Sequence, residues 1–477
     1  MKKEKLLKQK IKKSEVELKP KKSLTPEEAM KLQAEIKRVQ KEWEQKVKPR
    51  TLKIAWYSEA PFIRTREGTI TNYISQGFMF LGYPTVDIAY YGVQPGGFIK
   101  FNKIVVLPVE RSDRDPGGFK DVKTHIEKFG LDIVFYHADS IMNDLPKMLP
   151  DQVYGYLPVS MTNYPVKVVK ALEGYKGIVV PSRFGQKELK RYGIESTYIP
   201  PGINPRVFKE TRKKPCRKFL KLPVKHFIIG MVGSNEDKEP TNGWDAMFEA
   251  ISLFFKANKK AKQKTTIFVH TRAISKHGLN LPLLAKQFGI HKNIIWQDSH
   301  LIKLGIPESI MTRMYGAFDI LFNLSSREGV GLQIMEAGAC GIPAIVTGFG
   351  CMPERVQNGK CGWIVKPLRL KVTSLTSQVA IPDPTRAAVA LTEAYKDKRK
   401  LKKKSKRALQ YSKQFSWFVI MDHKWLPYLE KVEEELRLKK ELLKKELLEK
   451  MKKKKKKKPL KAIKLKSGNK DGKNKLG

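Results

Sequence analysis

An α/β protein of two doubly wound domains facing a cleft is what this sequence predicts, and three observations predict it. From Thr51 onward, strand-like apolar runs alternate with stretches of helical periodicity. At Lys209–Pro223 the alternation breaks into a basic segment with two prolines and no periodicity. From Phe227 it restarts and runs through a second set. Alternating strands and helices build parallel sheets covered on both faces, and 477 residues suffice for two such cores.

In chain order, Leu52-Lys53-Ile54-Ala55-Trp56-Tyr57 reads as the first strand and Ser58–Gly68 as the loop after it. A helix follows with Ile70, Tyr73, Ile74, Phe78 and Leu81 on one face, capped by Gly82, and then the strand Val86–Tyr90. Further strands are expected at Lys103–Leu107, Asp132–Tyr136 and Gly177–Val180. In the second half the strands are Phe227–Val232, Thr266–His270, Asn293–Trp296, Asp319–Asn323 and Ala344–Thr347. Helices Gly243–Phe255, Leu281–Phe288, Glu308–Tyr315 and Leu332–Cys340 separate them, Pro282 being tolerable in a first turn. Ligands of such sheets lie beyond the carboxyl ends of the strands, so chemistry is expected in the cleft.

Both ends are charged. Thr25-Pro26-Glu27-Glu28 has the pattern of a capped helix start, Leu32, Ile36, Val39 and Trp43 form a narrow apolar stripe at helical spacing, and Pro49 ends it. A stripe that narrow is expected to dock on the body of the protein. After Leu429 the chain becomes Leu/Glu/Lys helical sequence and runs into seven lysines, Lys452–Lys458, which cannot form a packed core.

The net charge is +47. Residues 1–50 hold 17 Lys and Arg against 8 Asp and Glu, and residues 431–477 hold 20 against 7, so the body is basic as well. Anionic lipid, nucleic acid and negatively charged substrates are the partners such a surface admits, beside a plainly solvated basic surface. Four scattered cysteines with no CxxC suit free thiols in a reducing cytoplasm. Residues 1–20 lack the apolar core of a signal peptide, and no apolar run reaches the ~20 residues of a membrane span. A cytoplasmic protein, able to sit peripherally at the cytoplasmic membrane face, is the expectation.

The chemistry concentrates in Ser325-Ser326-Arg327-Glu328-Gly329-Val330-Gly331-Leu332-Gln333-Ile334-Met335-Glu336-Ala337-Gly338-Ala339-Cys340-Gly341-Ile342-Pro343. A strand ends at Asn323, glycines free the backbone at 329 and 331, and a helix starts near Leu332. Such a loop offers backbone N–H groups and a helix N-terminus to an anion. Glu328 and Glu336 bracket it, and carboxylates suit sugar and ribose hydroxyls because they accept paired hydrogen bonds.

This block, with its two glutamates, the E-G-x-G-L between them and A-C-G-x-P after, resembles the signature of the retaining GT-B glycosyltransferases of family 4 (glycosyl transferases group 1). Val180-Pro181-Ser182-Arg183-Phe184-Gly185, Ile199-Pro200-Pro201-Gly202-Ile203 with Phe208, Gly230-Met231-Val232-Gly233 and Phe415-Ser416-Trp417 through Trp425 are similar to family segments in the same order. The resemblance covers roughly Leu52 to Leu429. With it the expected layout is a basic helical extension at 1–50, read from composition, a Rossmann-like acceptor-side domain at 51–208, the aperiodic linker at 209–223 and a Rossmann-like nucleotide-sugar domain at 224–414. A crossover helix at 415–430 and a lysine-rich tail at 431–477 complete the expected layout.

By the same resemblance Glu336 would bind the donor ribose, and Glu328 the transferred sugar. The N–H groups of Gly331 and Leu332, beside Gly329, would lie near the diphosphate or the sugar. Gly68 would let the backbone approach the donor, and His137 would stand near the acceptor or sugar; Asn235 and His270 complete the donor side. Both histidines also admit a structural reading. The family's members need no metal or other cofactor, because cationic side chains neutralise the leaving diphosphate. Where the family places an Arg and a Lys, Gly233–Gly243 offers only Lys238 among acids. Lys238 does that work, or a cation such as Arg66 or Arg327 substitutes, or activity is weak; a non-catalytic donor-binding member of the family is the alternative. Asp113-Arg114-Asp115 matches a metal-binding D-x-D by chance. The acceptor stays open between a glycan, a lipid-linked acceptor, a protein and nucleic acid, the last without any recognisable nucleic-acid motif.

Overall fold

The computed structural model describes residues 50–94, 97–138, 143–236 and 241–456. The stripe-bearing segment before Pro49, the residues after Lys456 and Lys238 lie outside the described residues.

The first sheet has eight strands: β1 (Ile54–Glu59), β2 (Thr85–Tyr91), β3 (Ile99–Phe101), β4 (Ile104–Pro108), β5 (Ile133–Tyr136), β6 (Val153–Tyr156), β7 (Gly177–Val180) and β8 (Thr197–Tyr198). Their order is β3-β4-β2-β1-β5-β6-β7-β8, and every pairing is parallel except β3 with β4. The second sheet is wholly parallel, with β9 (Phe227–Val232), β10 (Thr265–His270), β11 (Ile294–Trp296), β12 (Ile320–Asn323), β13 (Ala344–Thr347) and β14 (Gly362–Val365) in the order β11-β10-β9-β12-β13-β14. Residues such as Ile54, Trp56, Ile229 and Phe322 are fully buried, which is why these strands read as continuous apolar runs.

Strand order reverses between β1 and β5 in the first sheet and between β9 and β12 in the second. At such reversals the loops leave the carboxyl edge in opposite directions and open a crevice. Residues after β1 and residues from both sides of the second reversal line one common cleft.

Two departures from the sequence reading bear on the site. Gly68 is not in a loop: the helix Arg66–Phe80 begins two residues earlier, because Thr65 caps it by accepting the Gly68 N–H at 3.1 Å. The segment read as an aperiodic linker holds the helix Lys213–Phe219, fixed by a charge rather than an apolar face. Arg217 is 5% exposed. It donates to the carbonyls of Ala317 (2.9 Å), Val224 (2.7 Å) and His226 (3.0 Å) and pairs with Asp319 at 2.7 Å.

The chain then crosses back. Ile203 donates its N–H to Phe415 and accepts that of Trp417. Trp425, fully buried, packs in the first domain against Phe78, Phe135, Tyr156 and Trp56, with ring centroids 5.0, 5.5, 5.8 and 6.2 Å away. One apolar cluster therefore runs from Trp56 through Phe415 and Trp417 to Ile334 and Met335, joining the two domains. Across their interface Arg355, fully buried, donates to Val330 O at 2.8 Å and to Pro181 O at 2.6 Å. Among the described residues no helix is long and apolar enough to cross a membrane.

Candidate active site

The cleft encloses about 580 Å³, within the range of small-molecule sites. Its first wall is the loop Pro61–Arg66 with Thr69 and Asn72 from the helix it opens. Its second wall is His270 at the end of β10, Ile306–Ser309, Tyr315, and Leu332, Gln333 and Glu336 from the helix Leu332–Ala339.

Gly331 takes a left-handed φ of +73° as the cap before that helix, a conformation glycine adopts without a steric penalty. Gly329 lies against the first domain, where a Cβ would meet the Pro158 backbone at 2.9 Å. Together they turn Glu328 back over the helix start. Its Oε1 accepts the N–H groups of Gly331 (3.1 Å) and Val330 (3.3 Å), and its Oε2 accepts Gln333 Nε2 (2.9 Å). The Gly331 N–H expected to face phosphate is thus held by Glu328. Those of Leu332 and Gln333 have no acceptor among the described residues, and both residues line the cleft.

Glu336 lies on the wall itself, one turn into the helix. Tyr315 donates its hydroxyl to Glu336 Oε2 at 2.7 Å. Burial pushes the carboxyl up to about 8; the Tyr315 hydrogen bond opposes this and the nearby Glu308 charge adds to it. Glu308, also on the wall and raised by burial, accepts the Tyr73 hydroxyl at 2.6 Å, and Asn204 donates to Tyr73 at 3.0 Å. This chain of hydrogen bonds ties the first domain's helix to the floor of the second domain's wall.

A carboxyl raised by burial stabilises the fold fully below its unfolded value near 4.5. That contribution is lost as pH rises through about 8. Glu336→Gln keeps the hydrogen bond from Tyr315 without the buried charge. The variant should be more stable than the parent by about 1–3 kcal/mol at pH 9, with the difference shrinking toward pH 6; urea unfolding at both pH values checks this.

Cations come from the opposite wall. Arg64 donates to Gly305 O across the cleft at 2.8 Å. Arg66 pairs with Glu67, and its Nη1 stands 3.9 Å from Glu328 Oε1. Arg327 points elsewhere, toward Met161 Sδ at 3.6 Å. Of the alternatives open in the sequence, Arg66 is on the cleft wall and Arg327 is not.

His270 lines the cleft with a buried Nδ1 that has no partner among the described residues. Burial lowers its pKa to about 4, so the ring is neutral at neutral pH. His137 stands apart, 1% exposed after β5, with Nδ1 3.2 Å from Ser58 Oγ and its ring against Trp56 and Tyr156. Gly68 does not line the cleft; a Cβ there would meet Ile63 O at 2.2 Å, so its close approach is to the chain itself. Asn235 is used internally, its Nδ2 donating to Arg272 O (3.0 Å) and Leu279 O (2.8 Å) and its Oδ1 accepting Leu279 N–H (3.0 Å). It shapes the loop after β10 instead of facing a ligand. Asp115 of the D-x-D caps a helix, accepting the N–H groups of Phe119 (2.9 Å) and Lys120 (3.0 Å).

Arg64, Tyr73, Glu308, Tyr315 and Gln333 were not singled out from the sequence. Gln333 lies inside the motif block and Tyr315 precedes it, but nothing local marks them; Arg64 reaches the cleft, and Tyr73 reaches Glu308 on its wall, only once the domains are packed.

Residues 280–410 match the model of the family described as glycosyl transferases group 1. The N-acetyl-alpha-D-glucosaminyl L-malate synthase of Bacillus anthracis is 24% identical over 227 residues, 45% of this chain and 58% of that protein. The chain thus spans little more than half of this curated relative. Sucrose-phosphate synthase from Thermosynechococcus elongatus superposes with a TM-score of 0.63 at 15% identity, covering 80% of this chain and 99% of that one. Anabaena HepE, in complex with UDP and glucose, does so with a TM-score of 0.60 at 14% identity, covering 80% and 100%. The architecture is that of the GT-B glycosyltransferases, two Rossmann-like domains about a cleft, and the match to the group 1 model lies in its second domain.

Proposed function

We propose that this protein is a glycosyltransferase that binds a nucleotide-sugar donor in the interdomain cleft and passes the sugar to an acceptor in glycan or glycolipid assembly. The observation that carries the reading is the pairing of a guanidinium wall with a carboxyl wall. Arg64 and Arg66 face Glu336, Gln333 and the open N–H groups of Leu332 and Gln333 across a cavity of about 580 Å³. A donor's diphosphate needs cations and N–H groups, and its ribose needs a carboxyl.

In this reading the N–H groups of Leu332 and Gln333 and the Arg66 guanidinium hold the diphosphate, and Glu336 with Tyr315 holds the ribose diol. Glu328 contacts the transferred sugar and keeps Gln333 and Arg66 in place. Negative charge grows on the departing diphosphate, and fixed guanidinium and N–H dipoles stabilise it without a metal. Retention of the anomeric configuration belongs to the same proposal and is supported by the family resemblance. Placement at an anionic membrane face is motivated by the lysine-rich tail, which vesicle flotation at low salt checks.

Glu328→Gln tests the catalytic part. Its amide oxygen still accepts the Gly331 N–H, but the charge beside Arg66 is gone. Donor turnover should fall by about 10²–10³-fold with nearly unchanged stability. Equal turnover by parent and variant, followed by NMR of the nucleotide-sugar, refutes Glu328's role.

A further inference from the structure

The second sheet ends on β14, and from there the chain turns out into a hairpin. Its strands, β15 (Arg369–Val372) and β16 (Gln378–Ile381), pair antiparallel with each other. Ile364 of β14 and Leu368, Leu370, Val372 and Leu375 after it are between 39% and 62% exposed. Single exposed apolar side chains are ordinary, whereas five within so short a stretch form a patch that needs a partner.

The hairpin is fixed at its base. Gln378 and Thr162 exchange backbone hydrogen bonds at 2.8 and 3.1 Å, and Asn163 Nδ2 donates to Gln378 Oε1 at 2.6 Å. The Ala380 N–H donates to Ser326 O at 3.0 Å. Val379, 1% exposed, enters the apolar cluster of the first domain with Val159 and Met161. Lys371 stands opposite Val379 in the register, with Leu370 and Val372 one step to either side. These two therefore point away from the anchored face.

The surroundings are cationic. No Asp or Glu occurs between Glu354 and Asp383, a stretch that holds Lys360, Lys366, Arg369 and Lys371. The helix Lys398–Ser412 lies against the start of β14, where Lys404 donates to Gly359 O (2.5 Å) and Gly362 O (2.6 Å). Its exposed side carries Arg399, Lys402, Lys403, Lys406 and Arg407, and no acid occurs between Asp397 and Asp422.

We propose that this edge of the second domain docks on an anionic bilayer, the hairpin's aliphatic side chains entering the interface and the cations meeting the headgroups. Charge complementarity together with the apolar patch selects this occupant. Aliphatic side chains alternating with lysine and arginine, without acids, match the boundary between acyl chains and anionic headgroups. Nucleic acid would leave the aliphatic side chains unused, and residues 366–382 offer no aromatic ring on which a base could stack. Ser326, bonded to β16, lies two residues before Glu328, so docking sets the cleft beside the bilayer. That the acceptor is then lipid-borne rests on the glycosyltransferase reading of the cleft; the docking does not.

A fluorescent probe on the full chain tests this, since Cys216, Cys340, Cys351 and Cys361 are all buried and one introduced cysteine takes the label. With the environment-sensitive NBD group on Leu370→Cys, mixed phosphatidylserine–phosphatidylcholine vesicles should raise emission about threefold, and pure phosphatidylcholine vesicles should not. The same probe on Leu283→Cys, exposed on the helix Leu281–Gln287 near β11 at the opposite edge of the sheet, should not respond. Leu370→Ser with Val372→Ser and Leu375→Ser should weaken binding to the mixed vesicles about tenfold at fixed salt. No response at Leu370, an equal response at Leu283, or unaltered binding by the triple variant would overturn the proposal. So would dimerisation of the parent that the triple variant loses, because a second copy then covers the patch. Nucleotide titration needs no bilayer, so failure of the docking is told apart from failure of the cleft reading.

Discussion

Arg66→Ala should lower donor turnover by about 10²–10³-fold while leaving the protein folded. The size follows from what the guanidinium does in the proposed reaction. Removing one preorganised donor from a site of developing negative charge costs about 3–4 kcal/mol in the transition state. The fold should be little affected, because the Arg66 side chain is 31% exposed, and an ion pair at such a site, as with the adjacent Glu67, contributes little to stability. Arg66→Lys should recover only part of the rate, since a lysine keeps the charge but not the planar fork. Steady-state turnover with the preferred donor checks both variants. Full activity in Arg66→Ala returns the task to Lys238 or to Arg64.

The second large effect is structural. Arg217→Met should destabilise the second domain by about 3–5 kcal/mol, read from urea unfolding. Four hydrogen bonds end on this buried guanidinium, and its loss strands three carbonyls as well as Asp319. Asp319 would keep Lys213 at 2.6 Å and the Ile228 N–H at 2.8 Å, which limits the damage. Arg217→Met combined with Asp319→Asn should therefore cost less than the sum of the two single changes. Strict additivity would mean that the pair does not hold the helix Lys213–Phe219 in place.

That helix also shows where sequence reasoning stops. It has no apolar periodicity to read, because its anchor is an ion pair to a residue about a hundred positions away. By contrast, Gly177–Val180, Phe227–Val232 and Ala344–Thr347 were legible to the residue, since central parallel strands buried on both faces are unbroken apolar runs. Gly68 was misplaced because glycine was read as loop chemistry, whereas the Thr65 cap just before it sets the helix start. The short strand Val153–Tyr156 carries Gly155 and passed unnoticed.

The site divides along the same line. That a helix starts at Leu332 with Glu328 in the turn before it and Glu336 one turn inside was legible because these residues' neighbours in sequence are also their neighbours in space; their part in holding a donor belongs to the proposal. The place of Asn235 was not legible, since its partners Arg272 and Leu279 come from a distant loop that consumes its amide. The cations on the cleft wall, Arg64 in the loop after β1 and Arg66 at the first position of the helix it opens, acquire meaning only when the second domain packs against them.

Calorimetric titration of the parent chain and of Arg66→Ala with UDP, GDP, ADP and TDP measures the central claim most directly, namely that the guanidinium and carboxyl walls were built around a nucleoside diphosphate. One nucleotide should bind the parent in the micromolar range and the variant at least tenfold more weakly. No heat with any of the four, or equal affinity in both proteins, would contradict it.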